Sequence, residues 1–447
     1  MTFCLFRRMT AKRRSVVFAE DVPVKEESTV TNSEAHFSPE AAIKAMSFRC
    51  PGLHGEGCRQ KVYPSTFGAF LRQKNQIVIP AFQRMYCWDE NLATTWLKDV
   101  WQGERDGVFQ THRTGKVFMK KFHSDSYICV DGQQRFTTTL LLLAAIRDAT
   151  NLITNRNPEC EEQLKNLIAS IQDILYKDFA AFSTWKEQSQ KLILNKEEIF
   201  PYGVSISFSM LIPSMVDRES FFEVLLLGEL CKDPAFRQST IASHQGRIKV
   251  VFDQILLDKL TNLATNELKC DYLISTFNQC LDNMDFMCIE ILNDANLSQV
   301  FLWLQEKTLL GLSRLLYNPT PGVEFCAADL IKNVLFADFL EMELDVQEKL
   351  YEKYWFKPFL KKYNTDGMDE LIKRYLEKQT SEPRYISDTE TKMNLIMDMF
   401  GEALECDFPG FRLYAKFFSY YESLASNSDS KRVGEDILDR LRNFDES

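Results

Sequence analysis

The stretch Tyr127-Ile128-Cys129-Val130-Asp131-Gly132-Gln133-Gln134-Arg135-Phe136-Thr137-Thr138-Thr139 decides how this 447-residue chain is read. Its first four residues are apolar and strand-like, Asp-Gly breaks the run, and helical spacing begins at once. The pattern predicts a strand over 127–130 and a helix over about 133–148, with Leu140 to Leu143 too apolar to lie outside a core. A helix that opens directly on a strand end presents unpaired N–H groups and the positive end of its dipole, which suits phosphate or another anion. Gly132 permits close backbone approach or a left-handed turn. Arg135 can fork onto phosphate oxygens, and Thr137 and Thr138 add hydroxyl donors. Asp131 could hold a divalent cation or orient water. A plainer alternative stands beside this one: Arg135 paired with a neighbouring acid in an ordinary strand–helix junction.

Upstream lies Ile79-Pro80-Ala81-Phe82-Gln83-Arg84-Met85-Tyr86-Cys87-Trp88, where an amide and a guanidinium again sit side by side. Arg84 could neutralise phosphate or pair with Asp131, and Tyr86 or Trp88 could pack on a base. The alternative is a turn at the core edge whose aromatics pack under the next helix. The segment follows a strand at Gln76 to Ile79, and Asp89 is placed to cap a helix carrying Leu92, Trp96, Leu97 and Val100.

Taken together, Pro80, Gln83, Arg84, Tyr86 and Trp88, then Asp131-Gly132-Gln133-Gln134-Arg135 with Thr137 and Thr138, resemble one family closely. It is the N-terminal domain of GmrSD-type modification-dependent restriction systems, found also in SspE-like and BREX-associated proteins. A weaker echo runs from Phe286-Met287-Cys288-Ile289-Glu290 through Phe301 and Leu304, with Gln305 where the family has Asn. It closes on Asp329-Leu330-Ile331-Lys332-Asn333. The resemblance implies an α+β fold, a small ParB/sulfiredoxin-like α/β domain followed by a large, mainly helical region. The expected division is a linker or disordered segment over 1–60, the nucleotide-binding domain over 61–155, its helical extension over 156–340, and a C-terminal helical region over 341–447.

The resemblance also implies a nucleoside triphosphate as ligand or substrate, with Mg²⁺ at Asp131. Asp131, Gln133, Gln134 and Arg135 would be catalytic, and Gln83, Arg84, Tyr86, Gly132, Thr137 and Thr138 would bind the nucleotide. Phosphoryl transfer needs positioning and charge neutralisation rather than a nucleophilic side chain. DNA and a separate nuclease or effector protein are the implied partners. A sulfinic-acid reductase is disfavoured, because Gln133 stands where sulfiredoxin carries its cysteine. An HNH nuclease on residues 245–447 is excluded, because His244 is the last histidine. The competing reading is a catalytically inactive scaffold that binds nucleic acid or protein.

Bulk properties set outer limits. A net charge of −10 argues against a uniformly basic nucleic-acid surface, although a local basic groove remains compatible with it. No apolar run reaches the roughly 18 residues a membrane helix needs. Twelve cysteines, several inside apolar runs, read as free thiols in a reducing compartment. The expected location is therefore intracellular, in cytoplasm or nucleus. Arg7, Arg8, Lys12, Arg13 and Arg14 form either an import signal, organellar or nuclear, or a solvated basic tail. Cys50, His54 and Cys58 offer three zinc ligands without a fourth and at a spacing unlike a common finger, so the segment reads as a Gly-rich linker rather than a metal site.

Overall fold

Strand β6, Ser126–Asp131, and the helix that follows it lie at the centre of the molecule. The computed structural model describes residues 60–81, 83–102, 104–105, 108–109, 112–184, 208–230, 243–291, 327–336, 339, 342–360, 362–363, 365–380, 413, 416–417, 420–421, 424 and 433–446. In chain order the elements begin with β1 (Gln60–Thr66), α1 (Phe67–Leu71), β2 (Gln76–Val78) and α2 (Glu90–Gln102). A two-stranded hairpin, β3 (Glu104–Arg105) and β4 (Val108–Phe109), precedes β5 (His112–His123), β6 and α3 (Gln133–Ala149). Next come α4 (Pro158–Leu175), β7 (Leu211–Ile212), α5 (Arg218–Leu230), α6 (His244–Thr261), α7 (Asn266–Asn278) and β8 (Met284–Ile291). Four more helices follow: α8 (Ala327–Phe336), α9 (Leu344–Tyr351), α10 (Thr365–Thr380) and α11 (Val433–Glu446).

Six strands form one mixed sheet in the order β1-β8-β5-β6-β2-β7. β6 runs parallel to β2, and β2 parallel to β7, while β5 is antiparallel to β6 and parallel to β8. The side-chain period of two then sorts each central strand onto two faces. Tyr127 and Cys129 of β6, Val117 and Met119 of β5, and Phe286 and Cys288 of β8 enter one core with α1–α7. Ile128, Val130, Phe118, Ile289 and Ile291 enter a second core with α8–α11. The sheet is thus buried on both faces, which explains why β6 reads as an unbroken apolar run. The α+β class holds.

Helix boundaries follow local chemistry. Thr66 caps α1 by accepting from the Ala69 N–H, and Asp89 accepts from the Leu92 N–H at 2.8 Å at the start of α2. Asn157 and Pro158 open α4, Ser243 caps α6 and Thr265 caps α7. All were readable as caps.

The tertiary structure adds to the sequence reading at three points. Residues 103–115 are polar enough to read as a loop, yet they include the β3–β4 hairpin, and β5 begins at His112. His112–Lys116 alternates half-buried and exposed positions, so it lacks a hydrophobic signal, and pairing with β8 makes it a strand. The segments 61–155 and 156–340, expected as one domain and its extension, share a sheet, because β8 pairs with both β1 and β5. The cysteines are not all free: Cys160 of α4 and Cys270 of α7 are disulfide-bonded across 110 residues, while Cys87, Cys129, Cys280 and Cys288 are free. Only the packing of α4 on α7 brings that pair together. The segment Cys50–Cys58 and Gln305 lie outside the described residues. Among the described residues no helix is long and apolar enough to cross a membrane.

One buried charge network anchors α3 from behind. Asp148 lies 2.9 Å from Arg147 and 2.8 Å from Lys249 of α6, and Arg147 also donates to the Leu225 carbonyl at 2.7 Å. Burial pushes the Asp148 carboxyl up, but Arg147 and Lys249 outweigh it and hold the carboxyl below its usual range. A carboxyl depressed in the folded state contributes stability above its unfolded value, and that contribution is lost as pH falls. Melting temperatures of the native protein should therefore drop as pH is lowered from about 5 to about 3. Asp148→Asn should be less stable at neutral pH and lose less across that window, which a pH series of thermal melts reads directly.

Candidate functional site

Strands β2, β6 and β7 all run in one direction, so their carboxyl ends open on one edge of the sheet. Open sheets of this kind bind ligands at such an edge. Three segments lie there: the loop 79–89 after β2, Asp131-Gly132 after β6, and Pro213–Asp217 after β7.

Gly132 forms the hinge between β6 and α3. Its φ is +113°, and a Cβ on it would lie 2.9 Å from Cγ2 of Val117, so the position excludes side chains on two counts. It is the N-cap residue of α3, and no side chain caps that helix start. The chain then places Gln133 and Gln134 toward the β2 loop. Gln133 Nε2 donates to the Arg84 carbonyl at 3.1 Å. Gln134 Nε2 donates to the Met85 carbonyl at 3.2 Å, and its Oε1 accepts from the Cys87 N–H at 3.0 Å. From the loop side, Gln83 Nε2 donates to the Val130 carbonyl at 3.0 Å. The two motifs, about fifty residues apart in sequence, are therefore fastened to each other by three glutamine amides.

The guanidinium groups do not share one task. Arg135 turns toward β5, donating to the Thr114 carbonyl at 3.0 Å and the Lys116 carbonyl at 2.5 Å, with Asp131 at 3.6 Å. The reason is a register shift between β5 and β8 at Arg113/Lys116, where Gly115 takes a φ of +104°. Carbonyls displaced from a ladder need donors, and Arg135 supplies them. The plainer alternative for Arg135, pairing with a neighbouring acid, is part of what it does. Arg84 differs: among the described residues no hydrogen bond or ion pair holds its guanidinium. Its neighbour Met85 is 52 % exposed, and the Asp131 side chain is half exposed.

Tyr86 is buried. Its hydroxyl lies 2.7 Å from Thr138 Oγ1, and Thr138 in turn donates to the Gln134 carbonyl. Burial pushes the Tyr86 hydroxyl far above its ordinary range. Thr137 and Thr138 are buried too. Tyr86, Thr137 and Thr138, expected to contact a nucleotide, are thus engaged with each other and with the protein interior. Trp88 packs edge-on against Trp96 of α2, so it also lies under the helix. Of the expected site residues, Arg84 and Asp131 are the ones left partly exposed beside the start of α3.

Asp217 is a residue that sequence reading missed. Its carboxylate accepts from the Tyr86 N–H at 2.9 Å, from Ser214 Oγ at 2.9 Å and from Gln245 Nε2 at 2.8 Å. Burial raises its carboxyl, and those hydrogen bonds oppose the rise. It braces the β2 loop from the β7 side, as the glutamines do from α3. The signal was an Asp directly before helix α5, and that signal reads only as a cap. The neighbouring Cys87 thiol is pushed up by burial; Arg84 opposes this while Asp329, Asp217 and Asp89 add to it. The α8 segment Asp329 to Asn333 therefore approaches the same loop. Asn333 is buried with its side-chain oxygen unpartnered, and Lys332 pairs with Asp329 at 2.7 Å.

The family described as GmrSD restriction endonuclease, N-terminal domain, matches residues 67–302, just over half of the chain. The chain belongs to the GmrSD N-terminal domain family. Both glutamine–arginine motifs fall inside the match, whereas β1 and α8–α11 fall outside it. Among curated proteins none matches the chain.

Proposed function

We propose that this GmrSD N-terminal-type chain binds nucleoside triphosphates and hydrolyses them at the strand-end edge between Arg84 and Asp131. The carrying observation is the fastening of the Gln83–Cys87 loop to the start of α3, with the Arg84 guanidinium held by no hydrogen bond or ion pair among the described residues and no side-chain cap on the helix start. Such an arrangement complements a polyphosphate in charge and in hydrogen-bonding capacity. Arg84 neutralises phosphate oxygens, and the first N–H groups of α3 donate to them. Arg135 acts indirectly by fixing the β5 carbonyls and Asp131. Gln133 and Gln134 position the loop rather than water.

Mg²⁺ fits this site in one form. Among the described residues no three His, Cys, Asp or Glu side chains converge on a metal position, and Asp131 offers a single half-exposed carboxylate. One carboxylate together with substrate phosphates is an ordinary way to hold Mg²⁺. When bound, the ion would neutralise charge on the phosphates, and Asp131 would be its protein ligand.

Phosphate release from the four common nucleoside triphosphates, with and without Mg²⁺, tests the proposal. The native chain should release phosphate from at least one. Arg84→Ala should lower release about 10- to 100-fold while leaving the melting temperature unchanged, because the side chain makes no contact that folding needs. Absence of both release and nucleotide-induced thermal shift at millimolar nucleotide would sink it. A second reading, a non-catalytic scaffold for nucleic acid or protein, draws support from the engagement of Arg135, Gln133, Gln134, Tyr86 and Thr138 in purely structural contacts. It predicts that Arg84→Ala changes nothing in a nucleotide assay.

A further inference from the structure

We propose that Cys160 and Cys270 form a reversible redox modification site, which takes a peroxide-class oxidant and clamps α4 to α7 behind the site helix α3. The proposal is independent of the nucleotide reading. The two cysteines lie in the first turns of two neighbouring helices whose starts meet, with Cα atoms 6.4 Å apart. Both helices also pack on α3.

The juncture holds together without the sulfur–sulfur bond. Asn157, the cap of α4, accepts from the Cys160 N–H at 2.8 Å and donates to Glu267 of α7 at 2.8 Å. Asn266 of α7 donates to the carbonyls of Thr154 and Asn155 at 2.8 and 3.1 Å. These bonds fix both helix starts, so the two thiols of the reduced protein stay face to face. Proximity of this kind makes closure of a disulfide far faster than an encounter between free thiols. What separates this pair from the remaining described cysteines is not burial, which it shares, but a second sulfur within bonding reach. Burial pushes the Cys280 thiol up to about 12 and the Cys288 thiol up to about 11, which leaves them protonated and unreactive. Among the described residues Cys87, Cys129, Cys280 and Cys288 are free. In the reducing compartment expected from the sequence, a disulfide is characteristically transient and redox-sensing.

The chemistry balances with hydrogen peroxide. The thiolate of one cysteine attacks a peroxide oxygen, the O–O bond breaks, hydroxide leaves, and a sulfenic acid remains. The second thiol attacks that sulfur and displaces the oxygen as water while the S–S bond forms. Two thiols and one peroxide yield one disulfide and two waters. A dithiol reductant reverses the outcome by thiol–disulfide exchange. The cysteines themselves are buried, but Leu152 and Leu268 beside them are about half exposed, and peroxide is little larger than water.

The full chain is treated with hydrogen peroxide, then with dithiothreitol, each time under native conditions. It is then alkylated with N-ethylmaleimide in denaturant and mapped by peptide mass. Peroxide should withdraw Cys160 and Cys270 together, as one linked peptide pair, with Cys129, Cys280 and Cys288 still alkylated. Dithiothreitol should restore both thiols and lower the melting temperature by roughly 10 °C, the scale expected for opening a loop of this length. Cys160→Ser should show no linked pair and no dependence of melting on redox state. Continued alkylation of the pair after peroxide, earlier oxidation of the buried thiols, or resistance of the bond to native reduction would each overturn the proposal. If Cys160→Ser does not fold, the native-chain comparison alone decides.

Discussion

Arg135→Ala is expected to destabilise the folded chain by about 3–5 kcal/mol, because it strips the displaced β5 carbonyls of their donors. The guanidinium is 15 % exposed and reaches Thr114 and Lys116 with two charged hydrogen bonds, each worth about 1.5–3 kcal/mol. Asp131 contributes little at 3.6 Å and half exposure. Arg135→Lys should recover only part of the loss, since a single ammonium cannot span both carbonyls as the planar fork does. Urea unfolding of the two variants measures this. Nucleotide hydrolysis should fall in both as a consequence of lost structure. A fully stable Arg135→Ala that fails only in nucleotide binding would show instead that the guanidinium faces the ligand.

Gly132→Ala should cost a similar amount, about 3 kcal/mol, by an unrelated route. Alanine at a φ of +113° carries a backbone penalty of about 1–2 kcal/mol. The new methyl would also meet both γ-carbons of Val117, at 2.9 and 3.1 Å, and Val117 is fully buried with no room to retreat. Overpacking of this kind costs about 1–3 kcal/mol. A double variant, Gly132→Ala with Val117→Ala, separates the terms. It should relieve the clash and keep the backbone penalty, whereas equal losses in the single and double variants would place the whole effect in the backbone. The two predictions converge functionally, because Val117, Arg135 and Gly132 together fix where α3 begins.

Most of the element sequence near the site was legible. A strand at 127–130, a helix from 133, a cap at Asp89 and a strand at 76–79 each rest on local periodicity or local capping, and each lies within a few residues of its place in the fold. Strand β1 was missed because it is an edge strand. Its residues Gln60–Thr66 alternate weakly, include Pro64, and become a strand through pairing with β8, more than two hundred residues away. The start of β5 was missed for the same reason. The motifs themselves were legible as a family signature, yet their division of labour was not. A guanidinium next to a glycine turn reads as a phosphate ligand wherever it occurs. Whether it is free or engaged depends on a β-bulge in another strand.

By itself the sequence determined that an apolar strand feeds a long buried helix through Asp131-Gly132, that a glutamine–arginine loop precedes it, and that the family is that of GmrSD N-terminal domains. Those features are written in contiguous residues, where period, propensity and motif act. Only the tertiary structure decided that Gln83, Gln133 and Gln134 stitch the two motifs together and that Arg135 serves β5. The same holds for Asp217 bracing the loop from behind and for Cys160 meeting Cys270. These outcomes depend on which unpaired backbone groups and which helix faces come within reach of a side chain when the sheet closes, and chain-distant contacts of that kind leave no local trace.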